Sequence, residues 1–132
     1  MPAMRLAIII MLAAGALLAT SVQAQKQPDP KIIQEIYDCL AVGLPANWKK
    51  AWVVVTEIGE SGKERQFEGE FFYATSAADK KGKPLLTCSA QQVAKSVVSL
   101  SAGLPAEQRR WKGVTLVYTK DGKFNLAYDY GK

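Results

Sequence analysis

Residues 51–74 read AWVVVTEIGESGKERQFEGEFFYA, and this stretch predicts a long antiparallel hairpin around which the other elements must be arranged. Both halves are rich in β-branched and aromatic residues, which favour strands. A two-residue turn at Gly62 and Lys63 places apolar residues on one face, in the pairs Trp52 with Tyr73, Val54 with Phe71 and Ile58 with Phe67. The opposite face then carries Val53, Val55, Glu57, Glu68, Glu70 and Phe72.

A second hairpin is predicted within WKGVTLVYTKDGKFNLAYDYG, residues 111–131. A two-residue turn at Asp121 and Gly122 would divide the aromatic residues between both faces. A three-residue loop over 120–122, with Gly122 left-handed in a bulge, instead pairs Tyr118 with Phe124, Leu116 with Leu126 and Val114 with Tyr128. We prefer this second register because it forms one apolar face. The other face carries Thr115, Val117, Thr119, Asn125 and Asp129.

A helix is predicted before each hairpin, and each helix is followed by the tetrapeptide GLPA, at 43–46 and 103–106. The first helix opens at Asp29 and Pro30 and buries Ile32, Ile33, Ile36, Cys39 and Leu40. The second opens with a capping box of Ser89 and Gln92 and buries Ala90, Val93, Val97 and Leu100. We interpret GLPA as a helix stop in which the glycine is left-handed and the proline prevents continuation.

These elements predict an α+β fold. Two helices cover one face of an antiparallel sheet of about four to five strands, in the order helix, hairpin, short strand, helix, hairpin. The short strand covers residues 84–87, and Pro84 restricts it to an edge or a strand start. The face with Trp52, Val54 and Ile58 is expected in the core. The uncovered face is the one that carries Val53, Val55, Glu57, Glu68, Glu70 and Phe72, and it is interpreted either as an ordinary solvated surface or as a patch that binds a protein.

The first 24 residues are predicted to be a cleaved secretory signal peptide, which leaves residues 25–132 as a single domain. Arg5 precedes an uncharged apolar run, and small residues at Val22 and Ala24 fit cleavage after Ala24. The run is shorter than the roughly 20 residues of a membrane anchor. No cysteine follows the cleavage site directly, so we expect a periplasmic or extracellular protein rather than a lipoprotein.

Charge and composition argue against several functions. The chain has 17 basic and 12 acidic residues, and removal of Arg5 with the signal peptide leaves a net charge of +4. The basic residues cluster in predicted turns rather than along a helix, so nucleic acid is not an expected partner. No membrane is expected as a partner once the signal peptide has been removed. The absence of histidine removes Ser-His and Cys-His nucleophile pairs and His-ligated metals. We therefore expect no enzyme activity, no metal and no cofactor.

Two cysteines and two tryptophans leave alternatives open. Cys39 and Cys88 would pair readily in an oxidising compartment. Parallel helices separated by three full strands would instead offset them by about 13 Å, beyond the limit of about 7 Å between Cα atoms. A short or absent third strand would remove this objection. Trp48 and Trp111, just after the two helix stops, either fill the ends of the core or anchor a partner.

Three stretches resemble the YezG-like immunity protein family: LPANWKKAWVVVTEI, GEFFYATSAADKKGKPL and WKGVTLVYTKDGKFNLAYDYG. The closing DGKFNLAYDY, residues 121–130, is the most specific part. Members of this family neutralise toxins of bacterial polymorphic toxin systems, and they are typically cytosolic. The resemblance implies a compact α+β domain that functions by binding. Because this chain has a predicted export signal, we expect its toxin to act in the envelope, as a cell-wall hydrolase, a lipase or a membrane-disrupting effector does.

Steric occlusion of the toxin is the simplest mechanism. The candidate partner-binding residues are Val55, Glu57, Glu68, Glu70, Phe72, Asp129 and Tyr130. Two other functions remain open: inhibition of an external lysozyme-type enzyme, and small-ligand binding, which needs a pocket of about 300 Å³ or more. A homodimer that covers the exposed face also remains open.

Overall fold

The computed structural model describes residues 28–62 and 64–131, and the predicted signal peptide, residues 1–24, lies outside them. The helices and strands, in chain order, are α1 (Pro30–Ala41), β1 (Lys50–Ser61), β2 (Glu64–Ala74), β3 (Lys83–Pro84), α2 (Ala90–Leu100), β4 (Gly113–Thr119) and β5 (Phe124–Asp129). Two short 3-10 helices follow α2, at Ser101–Gly103 and Ala106–Gln108. The predicted α+β order is confirmed, but the third strand covers Lys83–Pro84 and not residues 84–87 as predicted.

Among the described residues, the sheet has five strands in the order β3-β2-β1-β4-β5, and all neighbours are antiparallel. Both helices pack on one face, which we call the inner face. Its core consists mainly of aliphatic residues from α1, α2, β1 and β4, among them Ile36, Leu40, Val53, Val55, Val93, Val97, Val114 and Leu116. The central strand β1 is long enough to pair with β2 and β4 at once, so it organises the whole sheet.

Both helices begin as predicted. The Asp29 carboxylate accepts a hydrogen bond from the Lys31 amide at 2.9 Å, with Pro30 in the first turn. The Ser89 hydroxyl accepts from the Gln92 amide at 3.2 Å. Each side chain satisfies a backbone donor that the helix cannot pair internally. The predicted burial of Ala90 is wrong, because this first residue of α2 is exposed.

The register of the second hairpin is confirmed. Val114 pairs with Tyr128, Leu116 with Leu126 and Tyr118 with Phe124. Gly122 has a φ of 91°, as the predicted three-residue loop requires. Val114, Leu116 and Tyr118 are buried on the inner face, and the Tyr118 hydroxyl donates to the Ile33 carbonyl at 2.7 Å. Burial raises the pKa of this hydroxyl, so it stays a protonated donor between β4 and α1.

The register of the first hairpin is correct only near its turn. Ser61 pairs with Glu64 and Gly59 with Gln66, but Glu57 then pairs with Phe67, because Ile58 is the extra residue of a β-bulge. This shift by one residue reverses the two faces of β1. Ala51, Val53 and Val55 are therefore buried, whereas the predicted core residue Ile58 is 61% exposed. The predicted faces of β2 are correct.

The GLPA segments do follow the two helices, but the predicted left-handed glycines are wrong. Neither Gly43 nor Gly103 has a positive φ. The first helix ends in consecutive tight turns, in which the amides of Gly43 and Leu44 donate to Leu40 and Ala41. The second continues as a 3-10 helix through Gly103. Proline ends both helices without help from the glycine conformation.

Cys39 and Cys88 form a disulfide with a Cα separation of 4.9 Å. Strand β3 is only two residues long, and Cys88 precedes α2 instead of lying within it. The helical offset considered above therefore does not arise. The Cys88 amide also donates to the Cys39 carbonyl at 3.1 Å, so backbone and side chains join the end of α1 to the start of α2.

Both tryptophans that follow GLPA fill the core ends. Trp48 is 7% exposed and packs near Tyr37, whereas Trp111 is fully buried between Phe67 and Tyr128. Neither ring is available as an exposed anchor for a partner.

Candidate functional site

The strongest candidate site is the sheet face opposite the helices, which we call the outer face. Strand pairing arranges it in three adjacent rows across β2, β1, β4 and β5. These rows are Phe72, Trp52, Val117 and Asn125; then Glu70, Val54, Thr115 and Ala127; then Glu68, Thr56, Gly113 and Asp129. No helix covers this face within the described residues.

An aromatic pair forms the part of the first row that lies on β2 and β1. The rings of Trp52 and Phe72 are stacked, with centroids 5.5 Å apart and planes inclined by 26°. The ammonium of Lys50 lies 5.3 Å from the Trp52 ring centroid, at a distance typical of a cation–π contact. Gly82 approaches the same ring so closely that a Cβ there would lie 2.4 Å from it. The loop after β2 therefore holds Trp52 while leaving it partly exposed.

Acidic residues occupy the other end of the outer face. Glu68 and Glu70 are exposed, and neither forms a salt bridge to any described residue. Asp129 shares the row of Glu68, and three strand spacings put about 15 Å between their backbones. The outer face thus combines an aromatic and aliphatic centre with one acidic border. The two glutamates and Phe72 were correctly placed together from the sequence.

Two of the predicted site residues lie on the inner side instead. Val55 is completely buried, so it cannot be an apolar anchor for a partner. The Glu57 side chain is only 11% exposed, and its carboxylate binds Arg65 at 2.7 Å and Lys112 at 3.2 Å. Hydrogen bonds from Arg65 and then Lys112 hold the pKa of Glu57 below its usual value. The bulge at Ile58 causes both errors, since it reverses the faces of β1.

The two C-terminal candidates differ from each other. Asp129 lies on the outer face, but its carboxylate also accepts from the Gly131 amide at 2.9 Å. Tyr130 is 45% exposed, and its hydroxyl donates to the Gln108 carbonyl at 2.7 Å. Gln108 belongs to a 3-10 helix outside the sheet. Tyr130 is therefore tied to that helix and does not extend the acidic border.

The sequence interpretation missed Trp52 and Val54 as outer-face residues, and it did not include Val117 in the site. The run of apolar residues at 52–55 contains no alternation that would reveal which of them face the core. Gly59 could have revealed the bulge from the sequence, because an isolated glycine within a strand often marks one. It has a positive φ of 155° beside the register shift.

A groove between α2 and β2 bears on the small-ligand alternative. Its volume is about 310 Å³, near the lower limit for ligand pockets. It is open to solvent, and its lining combines the charged and polar residues Arg65, Gln66, Gln91 and Lys95 with Phe67, Ala94 and Val98. These features do not favour a carrier for an apolar molecule, which would need an enclosed apolar cavity.

No protein-family model matches this chain, and no curated protein matches it in sequence. Within residues 28–62 and 64–131, no helix is long and apolar enough to cross a membrane. Those residues also bring together no group of three side chains of the types that ligate metal ions.

Proposed function

We propose that this protein is an exported immunity protein that binds a toxin acting in the cell envelope and neutralises it by steric occlusion. The outer face carries the proposal. Its stacked Trp52 and Phe72, with Val54 and Val117 beside them, form an apolar centre that no helix covers within the described residues. Aromatic residues surrounded by polar groups are typical of the energetically important part of a protein interface.

The charges of the outer face define the kind of partner that fits it. Glu68 and Glu70 are exposed and have no cation to neutralise them among the described residues. A complementary toxin surface would place an apolar side chain over the aromatic pair and a lysine or arginine over these glutamates. Such charge pairs accelerate association, and the apolar contacts slow dissociation.

The disulfide supports a site of action outside the cytoplasm. Disulfides persist in the periplasm and outside cells, whereas cytosolic thiols are kept reduced. The bond between Cys39 and Cys88 is thus compatible with the predicted export signal. An immunity protein has to meet its toxin where the toxin acts, so the proposed targets are hydrolases of the cell wall or of lipids, and membrane-disrupting effectors.

The test begins with capture of periplasmic and secreted proteins on the immobilised protein, followed by a high-salt wash and identification of the retained enzyme. That enzyme is then expressed in the periplasm with and without this protein. We expect this protein to restore growth and to inhibit the purified enzyme. A cytosolic nuclease as the tight partner would contradict the proposed envelope target, and inhibition of an external lysozyme would favour the other inhibitor function.

Two test variants and one control variant then locate the binding surface. Val54→Arg places a charge at the centre of the outer face and should weaken binding by at least about tenfold. Phe124→Arg is the matched control, because Phe124 is 42% exposed but belongs to the inner side of β5. Reversal of Glu68 and Glu70 to lysine should mainly slow association. Equal binding by folded Val54→Arg and the native protein would exclude the outer face.

A further inference from the structure

The edge of β2 that faces away from β1 is open where β2 extends past the short strand β3. Strand β3 pairs only with Phe72 and Tyr73, while β2 extends from Glu64 to Ala74. Within the described residues, no strand pairs with residues 64–70 on the side away from β1. An unpaired strand edge presents backbone donors and acceptors to which another extended chain can bind.

Backbone geometry identifies the groups that point to this edge. The Phe71 carbonyl accepts from the Leu85 amide at 2.9 Å, so the peptide groups of Phe71 face away from β1. Because direction alternates along a strand, those of Gly69, Phe67 and Arg65 face the same way. The side chains of Arg65, Phe67 and Phe71 lie on the inner side, whereas Glu68 and Glu70 project from the outer face.

A groove of about 310 Å³ runs beside this edge, between β2 and α2. Helix α2 contributes Gln91, Ala94, Lys95 and Val98, which are spaced so that they share one side of the helix. Phe67 contributes an aromatic ring from β2. A Cβ at Gly69 would lie 3.4 Å from that of Ala94, so the helix is close to the strand there. The groove opens from that point toward Phe67 and Arg65.

We propose that this edge and groove bind an extended segment of a partner protein in which basic and aliphatic residues alternate. The segment adds to β2 as a sixth strand. Its aliphatic side chains enter the groove over Phe67, Ala94 and Val98, and its basic side chains lie beside Glu68 and Glu70 on the outer side. This surface shares Glu68 and Glu70 with the outer face but does not include its aromatic centre. The inference therefore goes beyond the proposed function, and binding of a peptide at the β2 edge does not depend on it.

A second copy of this chain is a poor occupant of the same edge. When the β2 strands of two copies pair antiparallel about a two-fold axis, an inward-pointing residue must lie opposite another inward-pointing residue. An outward-pointing residue must likewise lie opposite another outward-pointing one. If the two-fold axis passes through any residue from Gln66 to Gly69, a glutamate of one copy lies opposite a glutamate of the other. The glutamates concerned are Glu64, Glu68 and Glu70. Like charges directly opposite each other destabilise a strand pair. A strand that carries lysine or arginine at those positions replaces this repulsion with attraction.

The test uses a synthetic peptide, acetyl-Lys-Val-Lys-Val-Lys-Val-Lys-amide, and the purified protein. We expect the amide protons of Gly69 and Phe67 to gain protection from hydrogen exchange on binding. A scrambled peptide with its lysines and valines in separate blocks should bind at least about tenfold more weakly. Equal binding of both peptides, or protection that spares these amides, would overturn the proposal.

Backbone N-methylation examines the pairing itself. Methyl groups on the valines and on the lysines block opposite edges of the peptide, because peptide groups alternate in direction along a strand. One methylation pattern should abolish binding and the other should preserve it, and the blocking pattern reveals whether the added strand is antiparallel or parallel. Equal binding by both methylated peptides would show that no strand is added.

A pair of protein variants tests the groove. Gln91→Trp places a bulky side chain at the groove and should weaken peptide binding by at least about tenfold. Gln92→Trp is the matched control on the same helix, since Gln92 is exposed and does not line the groove; it should bind within about twofold of the native protein. Equal effects of the two folded variants would contradict the proposed site. So would a peptide-insensitive dimer, in which the Gly69 amide is already protected before peptide is added.

Discussion

The two GLPA segments share four residues but are held in place by different contacts. A Cβ on Gly43 would lie 2.0 Å from the Leu86 carbonyl oxygen, whereas a Cβ on Gly103 would meet no atom within 4 Å. The first glycine is required because another part of the backbone packs directly against it. The second could carry a side chain. The same tetrapeptide therefore has different steric requirements, which depend on what packs against it.

The supports around the two segments also differ. The disulfide lies beside the first segment, since it joins the last turn of α1 to the chain that follows Leu86. The second segment is supported by side chains. Arg65 donates to the carbonyls of Arg109 and Trp111, and the Arg109 side chain donates to the Leu104 carbonyl at 2.7 Å. A covalent bond thus supports one helix end, and a group of hydrogen bonds supports the other.

Loss of the disulfide should have the largest effect on stability. The bond closes a loop with a sequence separation of 49 residues. Restriction of the unfolded chain by a loop of that length stabilises the fold by about 4 kcal/mol. We expect the double variant Cys39→Ala and Cys88→Ala to lose most of this in urea unfolding. Reduced native protein is the control and should unfold similarly; a loss below about 1 kcal/mol would show that the first segment does not depend on the bond.

Gly43→Ala should have the next largest effect. The added methyl group collides with the backbone of Leu86, and backbone cannot move aside as a flexible side chain can. Overpacking of this kind costs about 2 kcal/mol. The measurement is the midpoint of urea unfolding with the disulfide intact. An unchanged midpoint would show that residues 85–86 shift freely and that the first segment is not confined.

Gly103→Ala is the matched variant and should have a small effect of opposite sign. Gly103 lies in a 3-10 helix without a positive φ, and a methyl group there meets no atom. Alanine restricts the unfolded chain more than glycine does, so we expect stabilisation by about 0.5 kcal/mol. Destabilisation as large as that of Gly43→Ala would remove the distinction between the two segments.

The smallest effect should be a change in the free energy of unfolding with pH, caused by the side-chain contacts that support the second segment. Hydrogen bonds from Arg65 and Lys112 lower the pKa of Glu57 from its usual 4.5 in the folded protein. The stability from these contacts is fully present above pH 4.5 and is lost as the pH falls through the lower folded pKa. As the pH is lowered from neutral to acidic, the free energy of unfolding of Glu57→Gln should therefore fall less than that of the native protein.

Urea unfolding at a series of pH values measures this difference. Glu68→Gln is the control, because Glu68 is exposed and has no salt bridge among the described residues. It should follow the native pH dependence closely. If Glu57→Gln and Glu68→Gln had the same pH profile, the contacts of Glu57 would contribute nothing measurable to the support of the second segment.

The two hairpins show where sequence interpretation succeeded and where it failed. In the second hairpin, one register sets Val114, Leu116 and Tyr118 opposite apolar partners on a single face, while the other face of β4 has Val117 between two threonines. This register is the observed one. In the first hairpin, residues 52–55 are all apolar, so either face of β1 could have been the core. The bulge at Ile58 selected the face opposite to the predicted one.

The candidate site was predicted in part for the same reason. Glu68, Glu70 and Phe72 are on β2, whose alternation of glutamates with glycine and phenylalanine is unambiguous, and they lie on the outer face as expected. Val55 and Glu57 are on β1 and were assigned to the wrong face. The aromatic partner of Phe72 is Trp52, which had been expected in the core.

Local sequence was sufficient for the helix starts, the turn residues, the second hairpin and the α+β class, because each depends on contacts within a few residues of the chain. Contacts between distant segments established the rest. Whether Cys39 meets Cys88, why Gly43 must be glycine, and which side of β1 is buried all depend on segments separated by tens of residues. Such contacts form only when the whole core packs, because a strand with two apolar faces has no local preference for either.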